Sequence, residues 1–426
     1  MQTYIICILF FSCFFHPSFS KVKVNTTTRL MVDEYDRVRF YHGVNAIYKI
    51  FPFIPTSTHF DMEDSLSEED FANLKKWGLT FIRLYMPWEG VEPIRGQYNY
   101  TLLDEIQKLV RTAQTYNITI LLDAHQDLLS KKFCGEGIPD WAVLSNSSFP
   151  KPVRSDISRD EFGYPIIEDC LNITFAKYYF SYDIGQTFED LYTNKANLAD
   201  SFAAFWREVA SKFKNETNVL GYEILNEPFF ASLYQNWLEV VDTGYGDYHF
   251  LQPFYRKVHD SVREIDNETL LFFENIVMAL TVGFTEGPGG VEYNDRQIFS
   301  YHVYCGFTPN STLMKYFCQG VDWFQYHGKL SKAESLGFGT FLTEFGALFN
   351  SDDEVAEIGN VARTAENKLQ SWAYWQFKNF HDITTSSLGS QEGFYLENGD
   401  LQEGKDKGIG CDLYVCFVWR SYFKRF

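Results

Sequence analysis

Two glutamates in this 426-residue chain occupy places where paired carboxyl chemistry could occur. Glu227 lies in Asn226-Glu227-Pro228, directly after the run Gly221-Tyr222-Glu223-Ile224-Leu225. Glu344 lies in Thr343-Glu344-Phe345-Gly346, at the end of a second apolar run. A carboxyl pair about 5–5.5 Å apart hydrolyses a glycosidic bond with retention. One carboxylate attacks the anomeric carbon, while its partner protonates the leaving oxygen and then activates water. Two like charges at that distance disfavour double ionisation, so one carboxyl keeps a proton near neutral pH. We expect Glu227 to hold that proton as acid/base and Glu344 to be the ionised nucleophile. Such a pair supplies acid, base and nucleophile together, so no metal or organic cofactor is expected.

For the two groups to meet, the elements carrying them must converge. Strand-like runs occupy Gly43–Tyr48, Thr80–Tyr85, Thr119–Ala124, Val219–Asn226, Thr269–Asn275, Gln297–Tyr304, Gly339–Glu344 and Ser371–Phe377. Several are almost continuously apolar, as expected of strands covered on both faces. Helical patterns separate them at Ser67–Trp77, Thr101–Thr115, Ala199–Phe213, Pro253–Ile265 and Asp353–Leu369. Eight strands alternating with helices predict an α/β chain folded as a (β/α)8 TIM barrel, whose active site forms where the C-terminal strand ends converge. Glu227 and Glu344 end strands four and seven and would face each other there. The polar segment Phe133–Asn197, rich in Pro, Asp and Ser, is expected to be an irregular loop over that face.

Composition narrows the function classes. The net charge of −19 repels phosphate backbones and argues against nucleic-acid binding. Aromatic residues make up 18% of the chain, which fits ordinary core packing and also a cleft lined for sugar and lipid. Residues 1–20 read as a signal peptide, with the apolar run Tyr4–Phe15 and small residues at Ser18 and Ser20. No later stretch is apolar enough to predict a transmembrane segment. Eight Asn-X-Ser/Thr sequons, at Asn25, Asn99, Asn117, Asn146, Asn172, Asn215, Asn267 and Asn310, fit a glycoprotein. Six cysteines remain beyond the signal, an even number that favours disulfides in an oxidising compartment. Proximity in sequence suggests Cys305–Cys318 and Cys134–Cys170, with Cys411 and Cys416 left over. The expected location is secreted or lumenal, in an extracellular digestive space or a lysosome-like vesicle.

The strings around these strand ends resemble glycoside hydrolase family 5, and within it the endoglycoceramidases. The resemblance runs from about His42 to Lys405. It rests on His42-Gly43-Val44-Asn45, Ile82-Arg83-Leu84, Trp88-Glu89-Gly90-Val91-Glu92-Pro93 and Leu122-Asp123-Ala124-His125-Gln126-Asp127. It continues through Phe133-Cys134-Gly135-Glu136-Gly137, Leu225-Asn226-Glu227-Pro228, Tyr301-His302-Val303-Tyr304, Leu342-Thr343-Glu344-Phe345-Gly346 and Tyr374-Trp375-Gln376. It implies a glycosphingolipid substrate, presented by a membrane or micelle and cut between oligosaccharide and ceramide. It also implies roles for single residues. Arg83 would bind Glu344 and keep it ionised. Asn226 would donate to the sugar 2-hydroxyl, and Tyr304 would position Glu344 or donate near the ring oxygen. His125 and His302 would be polar walls of the first sugar subsite, with Trp375 as its floor. Lys49 and Asp127 would recognise the glycan, with Glu274 a weaker member of that group. Phe51, Phe53, Phe229 and Phe230 follow strands one and four, where they fit either a ceramide groove or loop packing.

Family members usually continue past Leu401-Gln402-Glu403-Gly404-Lys405 into a C-terminal β-sandwich. We therefore read residues 21–390 as the barrel and 391–426 as a short tail left from that domain, through a truncated gene model, a splice form or a shortened lineage. Two other readings stay open from the sequence. The same chemistry could serve a different β-glycoside: glucosylceramide, galactosylceramide, a steryl glucoside or a β-glucan. Alternatively, a decayed barrel could bind glycolipid without cleaving it.

Overall fold

The computed structural model describes residues 21–145, 157–382 and 393–395, apart from gaps at 174, 237, 243, 280, 306–311 and 348–351. The expected signal peptide, the sequons at Asn146 and Asn310, Cys411, Cys416 and nearly all of the tail lie outside the described residues. The two other cysteine pairings, Cys134–Cys170 and Cys305–Cys318, are formed.

Eight parallel strands close into a barrel. They are β1 (His42–Ala46), β2 (Phe81–Tyr85), β3 (Thr119–Asp123), β4 (Val219–Glu223), β5 (Leu270–Phe273), β6 (Gln297–Val303), β7 (Gly339–Gly346) and β8 (Ser371–Trp375). Each strand pairs with its sequence neighbours, and β8 returns to pair with β1. This is the expected (β/α)8 barrel, with most strands starting or stopping a residue or two inside the expected runs.

The long helices are α1 (Glu68–Trp77), α2 (Tyr100–Thr115), α3 (Tyr182–Tyr192), α4 (Leu198–Phe213), α5 (Gln252–Arg263), α6 (Thr312–Leu336) and α7 (Asp352–Asn367). Two of them correct the sequence reading. The segment Phe133–Asn197 is not wholly irregular, because it contains α3 and several shorter helical turns. The 25-residue α6 gave no clear helical stripe. Gly320 and Gly328 interrupt it, and large apolar side chains such as Tyr316, Phe317, Trp323 and Phe324 are exposed along it.

Strand β2 shows how the pleat builds the site. Ile82 and Leu84 point outward into the barrel–helix core, while Phe81, Arg83 and Tyr85 point inward at successive heights. The lowest inward layer joins Phe81 to Leu121, Leu220, Phe272, Ile298 and Phe341. It is closed from beneath by Val24 and Met31, from a short antiparallel ladder that precedes the barrel. Glycines make room for it. A Cβ on Gly43 would lie 1.8 Å from the Phe81 carbonyl oxygen, and one on Gly221 would lie 2.4 Å from the Phe272 ring. Above this apolar plug the interior turns polar, and it is there that the site forms.

Candidate active site

Arg83 is fully buried at the centre of the barrel mouth. A buried guanidinium persists only when its donors are matched, and here four hydrogen bonds and a carboxylate contact surround it. Nε donates to Glu223 Oε2 at 2.5 Å. Nη1 donates to Asn45 Oδ1 at 3.1 Å and to Glu344 Oε1 at 2.5 Å. Nη2 donates to Asn226 Oδ1 at 2.8 Å and lies 3.0 Å from Asp123. Residues from β1, β2, β3, β4 and β7 are thus tied to one cation.

That cation holds one oxygen of Glu344, and the Tyr304 hydroxyl donates to the other at 3.0 Å. Glu227 has a different environment. Its Oε1 lies 2.7 Å from His302 Nδ1, and its backbone adopts φ +40, a left-handed conformation costly for a residue with a Cβ. The Gln126 amide braces this turn by donating to the carbonyls of Asn226 and Glu227, at 2.9 and 3.0 Å. A carboxyl oxygen of Glu227, one of Glu344 and a ring nitrogen of His302 all lie within 4.8 Å of one another. Inverting carboxyls stand about 6.5–9.5 Å apart to admit a water, and so close an approach of oxygens fits the retaining geometry better.

Burial raises Glu227 to about 7, and the nearby Asp127 charge adds to the rise. Glu344 is also raised by burial, against the pull of His302 and Arg83. The expected hydrogen bond from Arg83 to Glu344 is present. Burial drives His302 down to about 3, so the ring is neutral near pH 7 and the Arg83 charge is the pull that remains. Two donors hold the ionised form of Glu344, whereas Glu227 has one neutral neighbour. This asymmetry favours protonation of Glu227 over Glu344.

One wall of the mouth is built from β3 and the loop after it. His125 Nδ1 lies 2.8 Å from Asp123, and Nε2 lies 3.2 Å from Asp127. Burial works against the charge of this imidazole, but the two carboxylates carry it up to about 9. Asn226 Nδ2 donates to the Gln126 carbonyl at 3.1 Å and lies 3.3 Å from His125 Nε2. Lys49 binds Asp127, Asp382 at 2.9 Å and Glu136 at 3.2 Å. The expected glycan-recognition pair is thus present as a buried ion cluster. Trp375 is only 2% exposed, stacked on His125 with ring centroids 5.2 Å apart and lying under the Lys49 ammonium. It braces this wall and is less open than the expected sugar floor.

Several participants were not singled out from the sequence. Asn45, Asp123 and Glu136 stood within the recognised strings, where nothing distinguished them. The peptide around Glu136 requires glycine on both sides. A Cβ at Gly135 would lie 1.9 Å from the Asp127 carbonyl oxygen, and Gly137 has φ +130. Glu223 was read as part of an apolar strand. Its partner Arg83 is distant in sequence, so no local pattern shows the pair. Asp382 and Lys329, which donates to the His302 carbonyl at 3.0 Å, gave no signal.

Among the described residues, Glu223, Glu274 and His302, and likewise Glu227, His302 and Glu344, converge closely enough to hold a cation. Arg83 already supplies positive charge to Glu223 and Glu344 in these groups.

The family model described as cellulase, glycosyl hydrolase family 5, matches residues 44–381. The chain belongs to glycosyl hydrolase family 5. It is therefore a glycoside hydrolase. Within family 5 it is 39% identical over 366 residues to the endoglycoceramidase of Hydra vulgaris, covering 84% of this chain and 67% of that protein. It is 34% identical over 363 residues to the endoglycoceramidase of Cyanea nozakii, covering 84% and 70%. Among solved structures, endo-glycoceramidase II from Rhodococcus sp. has the same fold, with a TM-score of 0.68 at 21% identity over 89% of this chain and 80% of that one.

Against this family 5 scaffold, the apolar residues near the mouth divide. Phe51 is 83% exposed and meets Phe53 edge-on. Phe229 and Phe230 are buried, with Phe229 packed among Tyr179, Phe180 and Phe188. They are core residues that seat the loop after β4, so loop packing is the reading that holds for them.

Proposed function

We propose that this chain hydrolyses the β-linkage between oligosaccharide and ceramide in glycosphingolipids, with retention of configuration. The observation that carries the reading is the close approach of the Glu227 and Glu344 carboxyls, with Glu344 held by two donors. Glu344 attacks the anomeric carbon while Glu227 protonates the ceramide oxygen as it leaves. Glu227, then ionised, takes a proton from water, which displaces Glu344 and releases the sugar with its original configuration. Asn226 and Tyr304 offer donors near the 2-hydroxyl and the ring oxygen. The similarity to two endoglycoceramidases above 30% identity supports this substrate class.

A lipid-presented substrate fits the exposed Leu313, Tyr316, Phe317, Trp323 and Phe324 of α6. No helix among the described residues is long and apolar enough to cross a membrane. Secreted or lumenal residence is supported by the two disulfides and by the exposure of Asn99, Asn117, Asn172, Asn215 and Asn267 at their sequons.

The test is an assay of purified protein on a defined ganglioside. The expected products are intact oligosaccharide and ceramide, with Glu344→Gln reducing turnover at least about a thousandfold. Stepwise release of single sugars would assign the same chemistry to a different β-glycoside, and binding without turnover would leave only a glycolipid-binding barrel.

A further inference from the structure

Glu274 follows β5 at the barrel mouth, and the mechanism above leaves it without work. Its Oε1 is buried and has no hydrogen-bond partner among the described residues, and the same is true of His302 Nε2. These two atoms lie 3.3 Å apart. The Arg83 guanidinium is 3.8 Å from the same oxygen, beyond hydrogen-bond reach. Two orphaned polar atoms at this distance are both satisfied by one proton placed between them.

Which atom carries that proton decides the state of the other ring nitrogen, since a neutral imidazole has one N–H and one lone pair. Glu227 must be ionised in the second half of a retaining cycle. A lone pair on His302 Nδ1 would then face a carboxylate oxygen 2.7 Å away, two acceptors with nothing between them. An N–H at Nδ1 suits both halves. It donates to Oε1 of the ionised group, and in the first half it keeps the acid's proton on the other oxygen. The lone pair is then on Nε2, and the neighbouring carboxyl must be the donor.

We propose that Glu274 is a positioning residue whose protonated carboxyl donates to His302 Nε2, holding the imidazole as the Nδ1–H tautomer that donates to Glu227. This rests on the reading of Glu227 as acid/base. The surroundings favour a neutral Glu274. Glu223 faces it from β4, Glu227 from the end of β4 and Glu344 from β7, against Arg83 from β2 and the Lys329 ammonium from α6. Burial and the Glu223 charge hold Glu274 well above the usual carboxylate range.

The tautomer can be read directly by nitrogen NMR of histidine-labelled full-length protein, with His302 assigned by its loss in His302→Asn. In the wild type we expect hydrogen on Nδ1 and a lone pair on Nε2, with the pattern kept in Glu274→Gln, whose amide also donates. Glu274→Met should move the hydrogen to Nε2. In kinetics, Glu274→Gln should stay within about threefold of wild type, while Glu274→Met should lose about 10–100-fold in kcat on the natural linkage with KM little changed. On a dinitrophenyl glycoside, whose leaving group needs no proton, Glu274→Met should form the glycosyl-enzyme at close to the wild-type rate. A wild-type His302 with hydrogen on Nε2 overturns the proposal, as does a Met variant equally slow on both substrates. The NMR result stands whether or not the protein cleaves ceramide glycosides, so failure of the substrate reading is seen separately.

Discussion

Glu227 is poised near neutrality by removal from water, and that has consequences of opposite sign for rate and stability. The first chemical step needs its proton, so kcat/KM should fall as pH rises through about 7. In the fold, a carboxyl whose pKa lies above its unfolded value of about 4.5 favours the native state while protonated. That contribution is present at pH 4 and is lost as pH rises through about 7. Glu227→Gln removes the charge, so it should abolish most turnover while stabilising the protein at pH 8 by roughly 1–3 kcal/mol and leaving pH 4 stability nearly unchanged. Thermal unfolding at the two pH values checks this; equal effects at both would show that burial of this carboxyl is not the cause. At this scale the sequence was readable at Arg83, Glu227 and Glu344, each in a motif at a strand end. Glu274 drew notice only as a weak member of the glycan-binding group and Glu223 none, because their partners His302 and Arg83 approach only through barrel closure.

The elements that hold these side chains are tied together by polar contacts away from the mouth. Helix α1 begins at Ser67, whose backbone N–H donates to Asp70 Oδ2 at 2.7 Å in a capping arrangement. Asp70 also accepts from Lys378, which follows β8, at 2.5 Å, with both side chains buried. One carboxylate therefore caps a helix and neutralises a cation beyond the last strand. Asp70→Ala would leave the buried Lys378 ammonium without its paired carboxylate, holding only the Asp61 and Ser65 carbonyls and the Ser65 hydroxyl, and a loss of about 3–5 kcal/mol is expected in denaturant unfolding. A loss under about 1 kcal/mol would mean that these neutral acceptors suffice for the charge. The strands were legible because runs such as Ile120–Leu122 and Leu270–Phe273 are apolar on both faces. Helix α1 was legible from its Ser and acidic first turn. Helices α3 and α6 were not, one lying in a polar Pro-containing stretch and the other carrying glycines and exposed aromatics.

In the molecule as a whole, the barrel brings one polar or aromatic residue from every strand or strand end to a single cage: Asn45, Arg83, Asp123, Glu223, Glu274, His302, Glu344 and Trp375. Alternation of inward and outward residues is enough to predict a polar layer above an apolar plug. It does not say which groups in that layer are paired with one another, and so the joining of Lys49 and Asp127 to Glu136 and Asp382 shows only in the closed barrel. The catalytic claim rests on Glu344 forming a bond to sugar while Glu227 manages the proton. Its most direct measurement is intact mass and peptide mapping after incubation with 2-deoxy-2-fluoro-β-lactosyl fluoride, whose fluorine slows release of the intermediate. A single glycosyl adduct on the peptide containing Glu344 is the result expected, whereas an adduct on another residue, or hydrolysis that leaves no adduct and inverts the anomeric centre, would contradict it.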